Sequence, residues 1–318
     1  MDKKDTNLNF EKIAGECGLY DATSSDVCID RIEALKIHYK RFEIIEIYNY
    51  LLLKATNPDI IMYIIRSLDY YRDKSSLSIF ANILLLRDVS FVDENKDNYV
   101  NVRAMCARAI GNQKDTDYIS CLLFCLNNKN EHYRVRLACA EALGHVGNKY
   151  AVAPLIEVVK DEDEKSVYLR ESAATALGLL GDIRAISPLV GILESKNGLM
   201  GKFTFLKERV IEALGKMGFS EDERVFNAVK NSLNDESSQI RIDAIEALMN
   251  SQHPKSYETI KKCLLEDTDE EVKKNALIAL YNISDRSILD EVINSPDYSD
   301  AIKVEAVKIL EEYEGDEE

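Results

Sequence analysis

The stretch VRLACAEALGHVG, from Val135 to Gly147, decides the fold. Val135, Cys139, Leu143 and Val146 recur at the spacing of one helix face. Ala140 and Ala142 are small enough to let a neighbouring helix approach closely. Gly144 and Gly147 predict that the helix weakens and ends, and Asn148 supports the turn that follows. The motif returns as VRAMCARAIG from Val102, LRESAATALGLLG from Leu169 and LKERVIEALGKMG from Leu206, so these four copies lie 33 to 37 residues apart. Weaker copies start at Ile240, Val272 and Ile302. A period of this size is the signature of a solenoid.

A second amphipathic segment follows each motif, as in AVAPLIEVVKD after Asn148 and ISPLVGIL after Arg184. Pro154 and Pro188 sit early in these segments, where the first helical turn tolerates a missing N–H. Each unit therefore reads helix, turn, helix, turn. Second helices are expected near Ile60, Val102, Val135, Leu169, Leu206, Ile240, Val272 and Ile302. First helices are expected from Phe42, Ser76, Thr116, Tyr150, Ile183, Asp222, Pro254 and Arg286. An additional helix near Asp30–Tyr39 is expected to cap the N-terminal end. The expected organisation is a polar, partly disordered segment over 1–28, one repeat solenoid over 29–313 and an acidic tail over 314–318. Insertions break the period at SFVDENKDNYVN from Ser90 and at SKNGLMGKFTF from Ser195.

Composition narrows the function. Apolar residues make up 46 % of the 318, enough for a sizeable core, and the net charge is −16. A general nucleic-acid binder needs a basic face, so the charge points to protein partners instead. No apolar run has the length of a signal-peptide core or a membrane span, which predicts a cytoplasmic protein without membrane contact. Two of the seven cysteines, Cys106 and Cys139, occupy one motif position that holds Ala173 and Ala244 in other copies. They read as small core residues, not as a disulfide framework.

The pattern V-R-x-x-A-A-x-A-L-G-x-L-G at Val135–Gly147 and Leu169–Gly181, followed by D-x-x-A-x-x-P-L at Asp182–Leu189, resembles the short HEAT-like repeats of the phycobilisome-lyase type. The resemblance is strong over 102–218 and weaker on either side. It implies an all-α, right-handed superhelix of about eight helical hairpins, with second helices on the concave face and first helices on the convex face. It also implies that the basic residue at motif position two (Arg103, Arg136, Arg170, Lys207, Arg241, Lys273 and Lys303) pairs with an Asp of the preceding turn. The Asp candidates are Asp161 or Asp163, Asp235, and Asp267 or Asp269.

Positions three, four and seven are expected on the concave surface. Early repeats place Met62, Tyr63, Arg66, Met105 and Arg108 there. Later repeats place Glu141, Glu171, Glu208, Glu212, Asp243 and Glu246. This surface therefore reads as apolar to basic early and acidic in the middle. The insertion at Ser195 offers Leu199, Met200, Lys202, Phe203 and Phe205 as a docking loop or as a cover over a gap in the stack. His38, His132, His145 and His253 are scattered and show no metal-ligand spacing. They are followed by Tyr, Tyr, Val and Pro, so the His-Glu pairs of the di-iron hydroxylase of the HEAT class are missing. No nucleophile–base arrangement can be argued, and no cofactor or metal is expected.

These readings converge on a non-catalytic scaffold or adaptor whose centrally acidic face receives a segment of a partner protein. A narrower version has a basic partner, as an inhibitor or immunity protein would. The alternative is an accessory subunit or chaperone-lyase acting on a bound cofactor such as a bilin.

Overall fold

The tetrads Asp73–Ser76, Asp115–Tyr118, Asn148–Ala151 and Asp182–Ala185 set the local pattern of the fold. In each, the Asp or Asn side chain accepts the backbone N–H two residues on, at 2.9 to 3.1 Å. That bond caps a short 3₁₀ turn, which runs into the first helix of a hairpin. Ala151 and Ala185 close two of these turns and are fully buried, which explains the D-x-x-A pattern.

The computed structural model describes residues 8–87, 96–161, 163–195, 204–284 and 286–314. Among them are eighteen α-helices and no strand. The chain forms two compact units, 1–154 and 155–318, with the boundary inside helix α9 (Val152–Lys160).

The first unit opens with α1 (Phe10–Glu16) and α2 (Ser25–His38), which pack against the first hairpin. Helix α1 lies within the polar 1–28 segment, and its Ile13 and Ala14 are buried. Phe10 stacks on Tyr50 at 5.2 Å, and Tyr20 donates a hydrogen bond to Glu11 at 2.7 Å. Three hairpins follow: α3 (Arg41–Lys54) with α4 (Pro58–Tyr71), α5 (Leu77–Leu85) with α6 (Val100–Gln113), and α7 (Ile119–Asn127) with α8 (Tyr133–Val146). The first insertion ends in an anchor, because Tyr99 is buried and donates to the Thr56 carbonyl at 2.9 Å.

The second unit continues from α9 with α10 (Val167–Leu180), then α11 (Ile186–Glu194) with α12 (Thr204–Met217). It goes on with α13 (Glu223–Asn231) and α14 (Ser238–Asn250), α15 (Ser256–Glu266) and α16 (Glu270–Ile283), and α17 (Ser287–Asn294) and α18 (Asp300–Glu314). The second helices α10, α12, α14, α16 and α18 pack in succession. Expected and observed helix starts agree closely for every hairpin.

The two motif glycines have different roles. Gly147, Gly181 and Gly218 adopt φ of +76°, +59° and +73°, and Gly147 and Gly181 are the C-caps of α8 and α10. The earlier glycine does not end its helix, contrary to the expectation for Gly144, which lies inside α8. Its equivalents are packing positions. A Cβ on Gly111 would stand 2.6 Å from Ala142 Cα, and one on Gly178 would stand 2.8 Å from Ala213 Cα. Gly215 meets Ala247 in the same way at 3.0 Å. The motif's Gly and Ala thus face each other across neighbouring second helices, and the backbones close in where neither carries a bulky side chain.

Arg103, Lys207 and Arg241 of the basic ladder have structural roles, and their carboxylate partners lie in the following turn. Arg103, Arg136 and Arg170 are buried, and each donates Nε to a carbonyl near the end of the preceding helix: Leu84, Leu126 and Val159, at 2.8, 3.0 and 3.2 Å. Arg103 then reaches forward to Glu131, Lys207 to Asp235 and Arg241 to Asp267. Arg241 also donates to the Asp235 carbonyl at 2.9 Å, so its contact with the preceding turn is to backbone. One cation thus neutralises a helix C-terminus and ties it to the next repeat. All seven cysteines are buried and free.

Candidate functional site

Helical spacing decides which residues share a face. On α12, Phe205, Glu208, Arg209, Glu212 and Lys216 fall at i, i+3, i+4, i+7 and i+11. Tyr168 and Glu171 hold the matching positions on α10, and Gln239, Asp243 and Glu246 those on α14. Successive packing of these helices assembles one surface in the second unit.

Electrostatics show the side chains to be neighbours. Burial pushes the Glu171 carboxyl above the ordinary range; Arg209 opposes the shift and Glu208 adds to it. Burial also raises Glu208, with Asp243 reinforcing the shift and Arg209 opposing it. Asp243 is raised by burial as well; a hydrogen bond from Gln239 and the charge of Arg209 pull it down, and Glu212 pushes it up. Glu208 thus acts on Glu171 and Asp243 on Glu208, a chain of carboxylates over three consecutive second helices.

The surface is not uniformly exposed. Glu208 is only 6 % exposed, although sequence placed it on an open patch. Position three lies close to the seam between second helices, and the chain closes over it. The charges are also partly compensated. Arg209 pairs with Glu212 and stands 3.9 Å from Glu208 Oε2, and Lys216 reaches Glu212 at 2.6 Å. Asp243 accepts from Gln239 at 2.8 Å, and Glu246 is exposed. Arg209, Glu212, Lys216, Asp243, Glu246 and Asn250 line a groove of about 300 Å³.

The first unit carries the remaining candidates. Met62 and Tyr63 on α4 and Met105 on α6 are half-buried, and Arg66 is exposed. Lys36 donates to the Tyr63 hydroxyl at 3.3 Å. Arg108 on α6 pairs with Glu141 on α8 at 2.9 Å, so the basic character expected early is partly neutralised there. Of the second insertion, Leu199, Met200, Lys202 and Phe203 lie outside the described residues. Phe205 is in the first turn of α12 and is 67 % exposed. Sequence reasoning missed Tyr168, which is also 67 % exposed and holds the same position on α10. Its signal was available as an aromatic residue directly before the motif in two successive copies.

No group of His, Cys, Asp and Glu among the described residues is arranged to hold a metal ion. No described helix is long and apolar enough to cross a membrane.

No protein of curated function matches the sequence. The chain is similar in fold to Kap95p in its complex with RanGDP, at TM-score 0.58 and 13 % identity, covering 96 % of this chain and 46 % of that one. It is similar to the Escherichia coli YibA protein at TM-score 0.52 and 16 % identity, covering 92 % and 98 %. The CpcE–CpcF complex of phycocyanin lyase from Nostoc sp. matches at TM-score 0.46 and 22 % identity, covering 74 % and 87 %. At these identities the likeness is one of fold. The family model for HEAT repeats matches residues 90–167, 126–200 and 206–281, more than half of the chain, and the chain belongs to the HEAT-repeat family.

Proposed function

We propose that the protein is a non-catalytic binding scaffold and that the second-helix face of its second unit receives a basic segment of a partner protein. The carrying observation is that Glu171, Glu208 and Asp243 come from the successively packed α10, α12 and α14, with Glu208 raising the Glu171 carboxyl and Asp243 raising that of Glu208. Like charges gathered this way raise the free energy of the unbound state, and a cationic partner lowers it. Arg209 and Lys216 offset only part of the cluster, because Glu171, Asp243 and Glu246 form no ion pair within 4.0 Å among the described residues. HEAT repeats suit this role, since each repeat adds one helix to a continuous surface.

The test is affinity capture with the wild-type chain and with a Glu212→Gln/Glu246→Lys variant, both confirmed folded by circular dichroism. The reading expects a stoichiometric basic protein retained by the wild type, released by salt and lost from the variant. A partner held equally by both would refute it.

A further inference from the structure

The acidic face contains a feature that a general electrostatic surface does not need. The Glu208 side chain is 8 % exposed, yet its carboxylate accepts no hydrogen bond among the described residues. The nearest cation is Arg209 Nη2 at 3.9 Å, beyond hydrogen-bonding reach, and the Nη1 of the same guanidinium is bound to Glu212. The Glu208 oxygens are not among the fully buried, partnerless ones of the described residues, but burial of the side chain raises the carboxyl, so a donor that satisfied both oxygens would gain more here than at the exposed Glu246.

Two exposed aromatic side chains share the helix faces of these carboxylates. Phe205 lies one turn before Glu208 on α12, and Tyr168 lies one turn before Glu171 on α10; both are 67 % exposed. The two helices are held close by the Gly178–Ala213 contact. Carboxylates flanked by open aromatic faces suit a flat cation, which can bond in its plane and stack on its face. A guanidinium meets both conditions, and a lysine ammonium, being a point charge, meets only the electrostatic one.

We infer that Glu208, with Glu171 and Asp243 around it and Tyr168 and Phe205 on the shared helix faces, is the anchor site for one arginine side chain of the bound segment, in the position that Arg209 holds loosely in the free protein. This rests on the acidic face being the binding surface, and the experiment separates the two claims. Fluorescein-labelled decapeptides of alternating Arg-Ser and alternating Lys-Ser carry equal charge, and their affinities are read by anisotropy. The Arg-Ser peptide is expected to bind roughly tenfold more tightly than the Lys-Ser peptide. Glu208→Gln, which keeps the side-chain shape, should abolish that preference, whereas Glu246→Gln should weaken both peptides alike. Arg209→Met should strengthen Arg-Ser binding, and Phe205→Ala should weaken it by about two- to fivefold. If both peptides bind equally to the wild type, the arginine anchor is wrong while the acidic surface stands. If neither binds, both claims fall. Preference that persists in Glu208→Gln also overturns the anchor.

Discussion

Arg103 and Glu131 stand 28 residues apart in the chain and share two hydrogen bonds, while Arg103 Nε holds the Leu84 carbonyl. One side chain therefore joins the end of one repeat to the turn of the next.

Arg103→Ala should lower stability by about 3 kcal/mol, because it leaves Glu131 and the Leu84 carbonyl without their partner. Arg103→Lys should recover only part of this, since an ammonium cannot reproduce the fork. Urea unfolding measures both.

The same ladder predicts an acid limit. Glu131, Asp235 and Asp267 are pushed up by burial, but Arg103, Lys207 and the Arg241 guanidinium more than offset this and hold them below the ordinary range. Their contribution is present above the unfolded value of about 4 and is lost as pH falls through the lower folded values. Thermal melts of Arg103→Ala against wild type should therefore converge in acid.

The acidic face behaves oppositely. Glu171, Glu208 and Asp243 are raised, so the folded state binds more protons than the unfolded one and stability falls as pH rises through the window above about 4. A Glu171→Gln/Glu208→Gln/Asp243→Asn variant should melt higher than wild type at pH 7. Its advantage should disappear toward pH 4. A variant that melts lower at pH 7 would show that these carboxylates are structural.

Glycine substitutions separate packing from propensity. A Cβ on Gly178 would meet Ala213 Cα at 2.8 Å, and a backbone atom cannot swing away, so Gly178→Ala should destabilise by roughly 1–3 kcal/mol. Gly191, inside α11, has nothing within 4 Å of an added Cβ. Gly191→Ala should stabilise by roughly 0.5–1 kcal/mol. Paired unfolding curves check the contrast.

The repeat register was legible because helix periodicity and the Asp-x-x-Ala turn are local. Val135 and Leu169 announce their helices, and Asp182 its cap, without any long-range information. Residues whose role depends on the neighbouring repeat were misread. Glycines such as Gly178 have no visible packing role until Ala213 is placed against them. Arg241 could be matched to Asp267 only once stacking brought the following turn beside it. Glu208 is the clearest case at the candidate site. Its position on the helix was readable, but its burial depends on how α12 sits between its neighbours.

The most direct test of the binding surface is the salt dependence of Arg-Ser decapeptide affinity for wild type and for Glu212→Gln/Glu246→Lys, with Glu258→Lys on α15 as a first-helix control. The account predicts at least tenfold weaker binding by the double variant at about 50 mM salt, little change in the control, and loss of most wild-type affinity by about 0.5 M as the exposed charges are screened. Equal binding by all three proteins, insensitive to salt, would contradict it.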